Sequence, residues 1–119
     1  MKKAGFILFI LMLLSQRATS QQEFITIETT FISESVTYNG SDNPNECMES
    51  VDTGIRVPAK KGTLFLLIPS PEFEMLKDKY EGKTVTIIYG LFSQSMKQSG
   101  AAGWVEKIIF EGEIIFQAR

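Results

Sequence analysis

The chain has 119 residues, 44% hydrophobic and 22% charged, with 12 basic and 14 acidic side chains, one cysteine and no histidine. That length suits one domain with a single core. A lone cysteine closes no intramolecular disulfide, and without imidazole the usual partner of a Ser or Cys nucleophile and the commonest metal ligand are both missing.

Residues 1–20 read as a secretory signal peptide. Lys2 and Lys3 precede an apolar run from Ala4 to Leu14, Ser15-Gln16-Arg17 is polar, and Ala18 and Ser20 stand where a signal peptidase needs small residues. Eleven apolar residues make a helix of about 16 Å against the roughly 30 Å of a bilayer's hydrocarbon, so the segment targets without spanning. The only cysteine, Cys47, lies too far downstream to carry a lipid anchor. Cleavage after Ser20 is expected to leave residues 21–119 as the single mature domain, periplasmic or secreted. Of the 12 bases, Lys2, Lys3 and Arg17 leave with the leader, so nine face 14 acids, a formal charge of −5. The remaining bases are scattered apart from Lys60-Lys61 and Lys77/Lys79, which gives no footprint for nucleic acid.

Residues 24–38 are rich in β-branched and aromatic side chains. The apolar positions Ile25, Ile27 and Phe31 change parity to Ile32, Val36 and Tyr38, which predicts one long strand with a bulge or bend between Phe31 and Ile32. Residues 39–52 carry turn formers and four acids without a base and predict a loop of about fourteen residues. Asn39-Gly40-Ser41 matches a glycosylation sequence, but reads as a tight turn ending the first strand. Cys47 in this loop is a small loop residue, an intermolecular link or a reactive thiol.

Residues 53–57 and 63–68 predict a hairpin across Pro58-Ala59-Lys60-Lys61-Gly62, with Leu64 to Ile68 apolar on both faces and the most buried strand. A short helix follows, with Ser70 as N-cap, Pro71 as first helical residue, Glu72 and Glu74 in the first turn, Phe73, Leu76 and Tyr80 as the apolar stripe, and Gly82 as its close. Residues 83–92 alternate cleanly, with Val85, Ile87, Tyr89 and Leu91 on one face. Residues 93–103 form a second polar loop, and residues 104–116 a last strand broken at Gly112.

About five strands and one helix in this order predict a mostly-β fold, a small OB-like five-stranded Greek-key barrel with the helix between the third and fourth strands. An immunoglobulin-like sandwich is the main alternative, but it needs about seven strands. The stretch Phe73-Glu74-Met75-Leu76, then Tyr80-Glu81-Gly82-Lys83-Thr84-Val85-Thr86-Ile87-Ile88-Tyr89-Gly90-Leu91-Phe92, resembles the helix and strand of exported bacterial OB-fold-like proteins, over about a quarter of the chain. Some of those proteins carry His in the following loop. Here that loop reads Ser93-Gln94-Ser95-Met96-Lys97-Gln98-Ser99, so no metal role is implied.

No triad, phosphate loop, metal cluster or carboxylate pair is recognisable, and no cofactor is expected. The expected activity is non-catalytic binding of another envelope or secreted protein through Asp42, Glu46, Glu49 and Asp52. The alternative is a small-ligand or oligosaccharide binder using Tyr38, Phe92 and Trp104 on the barrel face. A weak calcium loop is the lesser alternative, lacking the spacing and terminal bidentate Glu of a calcium-binding loop.

Overall fold

A computed structural model of the chain describes residues 23–41, 43, 45–46, 48–96 and 98–119. The expected signal peptide, Asp42 and Cys47 lie outside the described residues. Among the described residues, seven strands and one helix follow in the order β1 (Phe24–Thr30), β2 (Ser33–Asn39), β3 (Glu49–Pro58), β4 (Thr63–Leu67), α1 (Ser70–Tyr80), β5 (Thr84–Leu91), β6 (Gly103–Phe110) and β7 (Glu113–Gln117). They form one sheet with strand order β1-β5-β6-β4-β3-β2, and β7 pairs with β6. The fold is mostly β, as expected, but the sheet is an open path of six strands with β7 branching from β6 and not a closed five-stranded barrel.

Two breaks account for the extra strands, and both fall where the sequence pattern falters. Phe31 is fully buried while Ile32 is 48% exposed. The amide of Phe31 donates to Lys83 O and its carbonyl accepts from Gly82, whereas the carbonyl of Ile32 accepts from Arg56. The backbone therefore exchanges partners between these two residues, from the β5 side to β3, and the long first strand becomes β1 and β2. The second break is the two-residue turn Glu111-Gly112, both at positive φ, which pairs Phe110 with Glu113 and returns the chain along β6. Two successive positive φ values suit the twist of a tight hairpin, a conformation that glycine adopts freely and glutamate does not.

The core is one cluster, fed by alternate residues of the strands and by the helix: Phe31, Ile55, Val57, Leu66, Ile68, Val85, Ile87, Tyr89, Val105, Ile108 and Phe116, with Phe73 and Leu76 from α1. The helix starts one residue earlier than the spacing predicts. Pro69 occupies the cap position with no side-chain cap bond, and its carbonyl accepts from Phe73, so Ser70 is the first helical residue and not the N-cap. Tyr80 packs at the core's edge against Phe110, ring centroids 5.1 Å apart.

The fourteen-residue loop is also shorter than expected. Residues 40–48 connect β2 to β3, and Glu49 to Asp52 pair with Asn39 to Val36 as strand. A period-two pattern, Val51, Thr53, Ile55 and Val57, already runs through this segment, and sheet pairing prevails over its acidic composition. The second loop is tied down by its own backbone. Phe92 donates to Ala102, Met96 to Ala101 and Gly100 to Met96, while Ala102 donates to Phe65 O and anchors the loop to β4. Phe65, on the face of β4 opposite Leu66, is buried, with the Arg56 guanidinium 5.4 Å from its ring.

Candidate functional site

Strand β6 serves two neighbours along one edge. Gly103 and Trp104 run parallel to Leu66 and Leu67 of β4, whereas Lys107 to Phe110 pair antiparallel with β7. The exchange follows from the residues after Ile68. Pro69 and Pro71 have no amide hydrogen to donate and cannot extend β4 along β6. Thr53 fixes the departure: its hydroxyl donates to Ile68 O at 2.7 Å, and Ile68 N donates to Thr53 O at 2.8 Å. The chain then turns into α1, while Ala118 N donates to Glu106 O and holds the end of β7 on the other side.

Between the diverging arms of this fork lies a groove of about 660 Å³, within the range of small-ligand sites, about 300–1,000 Å³. Trp104 and Val105 of β6 line it, with Leu67 to Glu72 on one side, Phe116 to Arg119 on the other, and Val51 to Thr53 of β3. Its lining is largely apolar, and its acidic side chains are Asp52 and Glu72.

Both acids are incompletely satisfied. Asp52 Oδ1 accepts from the Tyr38 hydroxyl at 3.3 Å, but Asp52 Oδ2 is buried with no hydrogen-bond partner, and so is Glu72 Oε2 in the first turn of α1. A buried carboxylate oxygen without a donor carries a desolvation cost that a bound donor would relieve. Arg119 is the basic residue lining the groove, and no ion pair joins it to either acid. Burial and the neighbouring Asp52 carboxylate push the Tyr38 hydroxyl above its ordinary pKa, against a smaller opposing hydrogen bond with Ser50.

Trp104 is held from several sides. Register places Phe24, Gly90 and Trp104 in one row across β1, β5 and β6. The indole lies over Gly90, where a Cβ would come within 2.5 Å of the ring. Phe92 packs 5.4 Å away, Phe24 meets the ring edge-on at 6.3 Å, and Nε1 donates to Glu106 Oε2 at 3.0 Å.

The residues singled out from sequence divide unevenly. Asp52 and Trp104, expected to serve different sites, line the same groove; Tyr38 stands behind Asp52 and Phe92 beside Trp104. Glu46 and Glu49 lie outside the groove. Glu46 accepts from the Ser41 hydroxyl within its own loop, and Glu49 is exposed beside a shallow depression that Tyr38 and Met48 also line. Sequence reasoning missed Glu72, Phe116 and Phe24. Glu72 carried only the signal of a helix first turn, and nothing local announces that the helix start and the end of β7 face each other. Among the described residues no three His, Cys, Asp or Glu side chains are placed to hold a metal ion, and no helix is long and apolar enough to cross a membrane.

No protein-family model, curated protein or solved structure matches this chain.

Proposed function

We propose that this chain is an exported, non-catalytic binding module that engages another envelope or secreted protein at the groove in the fork of β4, β6 and β7. The carrying observation is that Trp104 and Asp52 line one largely apolar groove alongside a second acid, Glu72. The 40–48 loop is the weaker candidate surface, since Glu46 is engaged within it and Asp52 belongs to the groove. Export rests on the leader-like pattern of residues 1–20.

The proposal extends to the fold family. Taken as halves of one bent strand, β1 and β2 make the pairing path begin and end on the same strand. With one parallel pair, β4 with β6, and the helix between β4 and β5, that order supports a partly open OB-type Greek key to which β7 is an addition. It also supports kinship with the exported bacterial OB-fold-like proteins that residues 73–92 resemble.

The sequence contains a single tryptophan, so its emission reports directly on the groove. Titrating the full chain with short peptides and with soluble cell-wall oligosaccharides should give a saturable shift for the peptides. Ala118→Phe, which sets a ring into the groove's lining, should abolish it. An unchanged response in the filled variant, or none from either class with the chain folded, overturns the reading.

A further inference from the structure

Resting on that reading, we infer that the groove's occupant is an extended segment of the partner protein in which a lysine or arginine alternates with apolar residues. The charge complementarity is specific to this place. Asp52 Oδ2 and Glu72 Oε2 are buried without partners on the same groove, so each carboxylate there offers an acceptor oxygen that no protein donor pairs. The rest of the lining, with Leu67, Phe116 and the Trp104 ring, is apolar. A lysine or arginine side chain matches both, with an aliphatic stem that lies along apolar surface and a charged head that donates to carboxylates. The indole face adds attraction for a cation passing over it. Asp52 reaches the groove from β3 and is steadied by Tyr38, whereas Glu72 reaches it from α1, so the two acids approach the occupant from different elements.

The test uses the full chain and capped pentapeptides in which leucine alternates with lysine, glutamine or glutamate, read by Trp104 emission and by calorimetry. The lysine peptide should bind at least about tenfold tighter than the glutamine peptide, a difference of roughly 1.4 kcal/mol, and the glutamate peptide more weakly still. In the Asp52→Asn/Glu72→Gln double variant the preference should vanish while glutamine-peptide affinity persists. Replacing two carboxylates that each leave an oxygen unbonded, with the amide oxygen at position 52 still offering Tyr38 an acceptor, should leave the melting temperature equal or higher, which separates lost recognition from lost folding. Arg119→Gln, which removes a competing cation, should tighten lysine-peptide binding. Equal affinity for lysine and glutamine peptides, or a preference that survives in the double variant, overturns the inference and leaves the binding reading standing. An oligosaccharide response with every peptide silent overturns it and the protein-partner reading together, keeping only the groove as a site. Silence from every probe overturns both and the groove as well.

Discussion

Gly90→Ala isolates the reason Trp104 sits where it does. A Cβ at position 90 would stand 2.5, 2.6 and 2.9 Å from Cζ2, Cη2 and Cε2 of the indole, so the ring must lift by about 1 Å to restore ordinary contact. Three restraints resist: the Phe92 ring at 5.4 Å, the Phe24 edge at 6.3 Å and the 3.0 Å bond from Nε1 to Glu106. Overpacking of this kind costs about 1–3 kcal/mol. Replacing glycine by alanine returns about 0.4–1 kcal/mol by restricting the unfolded chain, since Gly90 has no positive φ to forbid it. A net loss of about 1–2 kcal/mol should lower the melting temperature by roughly 4–16 °C in a domain of this size, and the emission of the single tryptophan should move to the red as the ring lifts into water. The sharper measurement is a double-mutant cycle. In a Trp104→Ala background the obstacle is gone, so Gly90→Ala should be neutral or stabilising. A melting temperature unchanged within about 2 °C in the single variant, or an equal loss in both backgrounds, would refute the reasoning.

Glu111 stands at φ +50° in the β6–β7 turn, where asparagine is better tolerated, so Glu111→Asn should raise stability by about 0.5–1 kcal/mol in urea melts at unchanged m-value. Leu66→Ala, emptying a fully buried core position of β4, should cost about 2–5 kcal/mol, while Met75→Ala on the exposed side of α1 stays within about 0.5 kcal/mol. Tyr38 should deprotonate above the ordinary tyrosine value near 10.0. Because the folded state holds that proton more tightly, the stabilisation is complete below pH 10 and is lost as pH rises through the folded value. Phenolate absorbance, taken as the difference between parent and Tyr38→Phe, checks the direction, and Asp52→Asn should bring the midpoint down.

Much of the fold is legible from alternation alone. Val85, Ile87 and Tyr89 point inward as their spacing predicts, Phe73 and Leu76 anchor α1, and the parity change at Phe31 and Ile32 marks where the first strand divides. What escapes is any feature that depends on which strands meet. Acids at Glu49 and Asp52 disguised the start of β3, because composition argues for a loop while pairing with Asn39 and Val36 argues for a strand. The break at Gly112 was visible, but not that the chain beyond it would return along β6. The candidate site suffered most. Asp52 and Trp104 stand out in the sequence for unrelated reasons, and their common groove depends on a parallel contact between β4 and β6 across more than thirty residues of intervening chain that no local pattern encodes.

The groove and the topology have common causes. Strand β4 stops because Pro69 and Pro71 remove the amides that further pairing would use, and the edge of β6 left free from Lys107 onward is taken by β7, which the Glu111-Gly112 turn delivers in register. A non-proline pair at 69 and 71 would let β4 compete with β7 for that edge and would close the fork from within. Carboxylates at Asp52 and Glu72 are only partly compensated inside the protein, for beyond the Tyr38 bond to Asp52 Oδ1 each leaves an oxygen buried and unbonded. Selection for stability alone favours neither a gap in the ladder nor orphaned acids beside it. The two occur together where β6 exchanges β4 for β7, and a donor bound in the fork would relieve both acids at once.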